Sequence, residues 1–193
     1  MIARLTGIAA ALAALLIGTC TSSAQEAGLF NSPKGFGATA RWSARNPEVF
    51  WAATAYVDIY GVVTSRCSYP GFKFGISRNY SLKTVEADGF RMQFYAGPGL
   101  CLGYVRDHDK GRGIDLVSLT ADNPGVVAAV SAGAGCRFDF GGRVALDLSL
   151  TAEAGVHIRR NEQERQYASA SVSIYNNGLL QALYPQFSIL FRL

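Results

Sequence analysis

After residue 24 this chain has no apolar run that approaches 18 residues. None of it can form a helix long enough to cross a bilayer, which takes ~20 residues. Cysteine is scarce, with only Cys20, Cys67, Cys101 and Cys136, and no CxxC or Cys/His spacing suits a metal. Histidine is limited to His108 and His157. There is no GxSxG or HExxH, and Gly97-Pro98-Gly99 is followed by no Lys-Ser/Thr pair, so it is no phosphate loop. Charged residues make up 17% of the chain and the net charge is +4. That is too mild and too dispersed for nucleic-acid binding. No cofactor signature and no catalytic constellation is recognisable.

The N-terminus reads as a secretory signal peptide over residues 1–24. Arg4 supplies the positive region, Ile8 to Ile17 the apolar core, and Ser22-Ser23-Ala24 a small-residue cleavage site before Gln25. Cys20 after Ile17-Gly18-Thr19 leaves a lipoprotein signal as the rival reading. Removing residues 1–24 leaves 169 residues (193 − 24), enough for one domain, at net charge +3 (+4 less Arg4). The three remaining cysteines are an odd number, so at least one is free.

What the chain does have is alternation. From Arg143 to Arg159, 17 residues, Val144, Leu146, Leu148, Leu150, Ala152, Ala154, Val156 and Ile158 fall on one face, and Asp147, Glu153, His157 and Arg159 on the other. A period of two is a β-strand, and this one is about three times the common strand length of ~5–6 residues. Similar runs occur at Phe36–Ser43, Ala53–Ile59, Phe72–Leu82, Phe90–Tyr104, Val126–Asp139, Ala168–Ile174 and Phe187–Leu193. That makes eight strands, with residues 25–34 as a loose N-terminal lead and a barrel over 35–193. Arg78 interrupts one apolar face and must snorkel or end the lipid zone. Pro98, with no N–H, should mark a bulge or kink.

Alternation alone does not separate a membrane barrel from a soluble lipocalin-like barrel that binds an apolar ligand, whose faces are reversed. Three features favour apolar outside and polar inside. The polar face is rich in glycine, with Gly37, Gly75, Gly97, Gly99, Gly103, Gly125, Gly133, Gly135 and Gly155, where a solvent face would favour Thr, Lys and Glu. It also carries both signs of charge, including Arg41, Asp58, Arg91, Arg137, Asp139, Asp147 and Glu153, which can pair across a narrow lumen. Finally, the chain ends on a strand. The segment Tyr184-Pro-Gln-Phe-Ser-Ile-Leu-Phe-Arg-Leu193 resembles the C-terminal insertion signal of bacterial outer-membrane barrels, with Leu193 where that pattern has Phe or Trp.

With the signal peptide and eight strands, the chain resembles the small outer-membrane β-barrel family of the OmpX and OmpA-transmembrane type. The tract Tyr95–Tyr104 is similar to strands of uncharacterised small barrels from Bacteroides-like bacteria. The resemblance implies an eight-stranded antiparallel up-and-down transmembrane β-barrel in the bacterial outer membrane. The lipid bilayer is then its partner, and a protein or envelope partner would be met through the loops.

The expected function is structural or loop-mediated. The alternatives are an outer-membrane lipid-modifying enzyme and the soluble periplasmic barrel. Tyr56, Tyr60, Arg91, Tyr95, Arg137 and Arg159 are expected to plug the lumen. His157 is expected in the lumen network, and His108, between Asp107 and Asp109, in a solvated loop.

One conflict stands in this reading. Such barrels keep short turns on the side of the termini. Eight strands counted this way put Arg106–Asn123 on that side and the Gly141-Gly142 turn on the other. Either Ala53–Ile59 or Ala168–Ile174 is misassigned, or the protein departs from the rule.

Overall fold

The computed structural model describes residues 25–32, 35–43, 46, 48–59, 71–105, 125–160, 170–177 and 182–193. The chain is all-β. Its strands are β1 (Glu26–Ser32), β2 (Gly35–Ser43), β3 (Val49–Asp58), β4 (Gly71–Ala87), β5 (Phe90–Val105), β6 (Gly125–Asp139), β7 (Val144–Arg160), β8 (Ala170–Asn176) and β9 (Gln186–Arg192). Neighbouring strands are antiparallel, and the sheet runs β6-β5-β4-β3-β2-β1-β9-β7-β8 with β6 also paired to β7. It therefore closes into a ring through β1–β9, β9–β7 and β7–β6.

Two expectations are corrected. Residues 25–34 are not a loose lead, because Glu26–Ser32 is the first strand and pairs with both β2 and β9. The alternation there is short and disguised: Phe30 is buried while Leu29 is exposed, so the larger ring faces in. The runs at Ala168–Ile174 and Phe187–Leu193 are also not two staves. Both pair with β7, β8 against its Ala154–Arg160 and β9 against its Val144–Ser149. They are two lengths of one interrupted stave, so the ring still has eight positions.

Asn177 bridges the interruption. Its side-chain Nδ2 donates to the Thr151 carbonyl at 2.6 Å, and its Oδ1 accepts from the Glu153 N–H at 3.0 Å. One side chain thus stands in for a missing stretch of ladder, as buried backbone groups require.

These corrections remove the turn-length conflict. Gln25 and Leu193 lie at the same end as the joints 44–48, 88–89 and 140–143. The strand ends joined by 59–70, 106–124 and 161–169 lie at the opposite end, together with those joined by the short 33–34 connection. Two of the short joints carry glycines at positive φ, Gly89 at 73° and Gly141 at 77°, a conformation that favours glycine. Asp139 Oδ1 accepts from the Gly141 N–H at 3.0 Å.

The register fixes the geometry of the ring. A row of paired residues from Ala27 runs through Ala40, Ala53, Ile76, Leu100 and Val130 to Ala154. Taken the other way, Ala27 meets Phe191 and then Val144. The offset on β7, 154 − 144, is a shear of ten residues. With ~3.3 Å per residue and ~4.8 Å between eight strands, that gives a tilt of roughly 41°, inside the usual barrel range.

The faces are as expected. Asp147 is 0% exposed, while its neighbour Leu148 on β7 is 39% exposed. Phe72, Phe74 and Ile76 on β4, Leu100 and Leu102 on β5, Val130 on β6 and Ile189 on β9 are exposed on the outside. Thr39, Arg41, Lys73, Asn79 and His157 are buried within. Two inward aromatic rings lie over glycines directly across the ladder, Phe30 over Gly37 and Tyr95 over Gly135, and a Cβ at either glycine would strike the ring. This is how the glycine-rich face accommodates large side chains.

Pro98 pairs in regular register with Ala132 on β6. On its other side the β4–β5 pairing passes over Arg78 and Asn79, and the register shift falls further along, between Ser81 and Lys83. Pro98 therefore marks no bulge in its pairing with β6; its missing N–H coincides with the Arg78–Asn79 stretch of β4 that is unpaired with β5, and the Ser81–Lys83 shift is a separate irregularity.

Candidate functional site

The inward rows meet in the lumen as two compact ionic layers. The first joins β2, β5 and β7. Arg41 Nη1 donates to Asp147 Oδ2 at 3.0 Å and Arg41 Nη2 to the Tyr95 hydroxyl at 3.3 Å. That hydroxyl lies 2.9 Å from both oxygens of Asp147. The Arg41 guanidinium also sits 5.4 Å from the ring centres of Phe50 and Tyr95, so its faces are covered as well as its edges.

The second layer joins β3, β4, β7 and β8. Lys73 Nζ donates to Glu153 Oε2 at 2.7 Å and to the Tyr175 hydroxyl at 3.3 Å, and Tyr175 donates to the same Glu153 oxygen at 3.0 Å. Tyr56 flanks the ammonium at 5.3 Å from ring centre, and its hydroxyl accepts from Ser32 Oγ at 2.9 Å. Asp147 and Glu153 are six residues apart on β7, ~20 Å along the strand, so the layers are separate.

Between them lies a cavity of about 120 Å³ lined by Thr39, Thr54, Ser77, Ser131, Ser149 and Thr151 among others. At a liquid share of ~30 Å³ per molecule it has room for about four waters. Its walls are polar enough to hold them.

Beyond the first layer, at the end with the termini, the lumen widens to a bowl of about 380 Å³. Here Arg137 pairs with Glu26 and, at 3.4 Å, with Asp139, while Arg192 pairs with Asp139 and lies 3.9 Å from Glu26. These contacts tie β6 across the lumen to β1 and β9, the strands of the closing seam.

Most expected inward charges are thus brought together: Arg41 with Asp147, Arg137 with Asp139, and Glu153 with a partner. Tyr56 and Tyr95 take part in the filling. Arg91 does not plug the lumen: near the start of β5 it is exposed at the rim, where it lines the mouth of the bowl and pairs with Glu86 at 3.3 Å. His157 is buried on the inward row of β7, in register with Val127 and Ser173. Cys101 is buried inside and Cys136 is half-buried on an outward row, both as free thiols. Tyr60, Cys67, His108 with Asp107 and Asp109, and the side chain of Arg159 lie outside the described residues, as do residues 1–24.

Sequence reasoning missed Glu26, Arg192, Lys73 and Tyr175 as members of the networks. For Lys73 the signal was present, since it sits on the polar side of its run. Glu26 was hidden in a segment read as unstructured. Among the described residues no group of three or more His, Cys, Asp or Glu side chains is arranged to hold a metal ion. Comparison with known protein families, with curated proteins and with solved structures yields no match.

Proposed function

We propose that this chain is an outer-membrane β-barrel, directed there by residues 1–24 as a cleaved signal. In this reading it supports the Gram-negative envelope or presents its longer connections to a partner, with a lumen too filled to act as a diffusion channel. The carrying observation is the division of faces: the outward rows are predominantly apolar round the ring, with Arg78 and Lys83 on β4 as exceptions, and the charges that point inward meet in ion-paired layers. A water-soluble barrel needs the opposite arrangement, since exposed apolar area of this extent is a liability in water. The shear of ten, the eight ring positions and the long connections opposite the termini support the same reading.

The test is fractionation of cells expressing the protein, with electrophoresis of boiled and unboiled samples. Recovery only with detergent, together with a mobility change on boiling, is the expected result. Release in a soluble periplasmic fraction would sink the proposal. A lipid-modifying activity would appear as altered lipid A in a deletion strain, and unchanged lipid A is expected.

A further inference from the structure

The outward apolar rows are broken on β4 by two exposed cations, Arg78 and Lys83. Arg78 is in register with Trp51 on β3. Its guanidinium lies 5.8 Å from the Trp51 ring centre and 5.4 Å from that of Tyr80. The two rings flank the exposed cation, and no carboxylate among the described residues is paired to it. Lys83 stands next to Phe94 across the ladder, about four residues' rise or ~13 Å further along β4 once the bulge is allowed for.

A bare guanidinium in hydrocarbon is costly. In a bilayer, aromatic rings of this kind sit at the headgroup level. A cation clamped between two such rings is therefore at the depth of lipid phosphates, and arginine's planar fork matches a phosphate's oxygens.

We propose that Arg78, framed by Trp51 and Tyr80 and assisted by Lys83, is a binding site for the phosphate of an anionic phospholipid in the leaflet nearer the chain termini. This rests on the membrane reading above. The net charge of the pair, +2, favours an anionic lipid over a zwitterionic one, and the leaflet follows from Trp51 and Tyr80, which lie at the end of β3 that meets the 44–48 joint, the end of the barrel that holds the termini.

The test uses the mature full-length protein in detergent micelles, titrated with phosphatidylglycerol or phosphatidylcholine and read by native mass spectrometry. Wild type should hold phosphatidylglycerol in preference. Arg78→Gln should weaken that binding about five-fold, the upper end for an exposed ion pair. Arg78→Lys should recover part of it, and Trp51→Leu should weaken it with the charge intact. Equal occupancy of wild type and Arg78→Gln would overturn the site, as would displacement of the lipid by millimolar inorganic phosphate, which would mark a general anion site. Heat-modifiable mobility of each variant shows that it is folded. If wild type neither shows it nor enters vesicles, the membrane reading fails and the site falls with it. If wild type inserts and Arg78→Gln binds as wild type does, the site alone fails.

Discussion

Replacing Asp147 with alanine removes the acceptor of Arg41 and of the Tyr95 hydroxyl at a position with no solvent exposure. Arg41 itself is buried, so its charge would be left without a counter-ion. Breaking a buried pair in this way costs ~3–5 kcal/mol. The polar cavity beside Arg41 has room for water to offer some relief, so the lower end, ~3 kcal/mol, is expected, or roughly a hundred-fold in the unfolding equilibrium. Urea unfolding in detergent or lipid vesicles, followed by the fluorescence of Trp42 and Trp51, reads this directly, because both lie on strands that border Arg41. Arg41→Met with Asp147→Leu should restore most of the loss, since an apolar pair of similar volume can replace a buried ion pair. A cost below ~0.5 kcal/mol for Asp147→Ala, or a double-mutant coupling within ~0.5 kcal/mol of zero, would refute a stabilising role for the Arg41–Asp147 pair.

Asn177→Ala should destabilise the barrel by ~1–2 kcal/mol by orphaning the Thr151 carbonyl and the Glu153 N–H, measured in the same unfolding assay. Gly135→Val drives a branched side chain into the Tyr95 ring and should cost ~1–3 kcal/mol in the wild-type chain, and less than that when added to Tyr95→Ala, which lacks the ring it strikes. In planar bilayers the pure protein should give no steady conductance of porin size, because an eight-stranded interior is filled by side chains.

The sequence made the commonest structural facts plain and hid the exceptional ones. The alternation of β5 to β7 and of β4 up to its bulge, and the sidedness of Asp147, Arg41 and Leu148, follow from local pattern, because the pleat assigns successive side chains to opposite faces. Partnership does not follow from pattern. Nothing in Ala168–Ile174 or Phe187–Leu193 says that both lie along β7, although the 17-residue length of that strand is the clue that it serves two neighbours. Glu26–Ser32 escaped because seven residues with a phenylalanine on the inner row blur the contrast between faces. Of the lumen, the charges could be anticipated and their pairings could not, since Lys73 and Glu153 are 80 residues apart and meet only once the register is set.

The joint between β1 and β9 has a bearing on how the molecule is made. Its pairs, from Asn31 with Phe187 to Glu26 with Arg192, are 156 to 166 positions apart (187 − 31 and 192 − 26). Bringing such distant ends together costs about 3 kcal/mol more than closing a five-residue loop, by chain entropy alone. Hairpin zippering therefore precedes it, and union of first and last staves is the final act of assembly. Until that moment two raw edges stay open to any neighbouring chain, and the Glu26–Arg137–Asp139–Arg192 lattice engages only when the correct ends arrive. A chain stopped before residue 186 would keep most of its hairpins and have no means of shutting, so its fate would be aggregation rather than a smaller barrel.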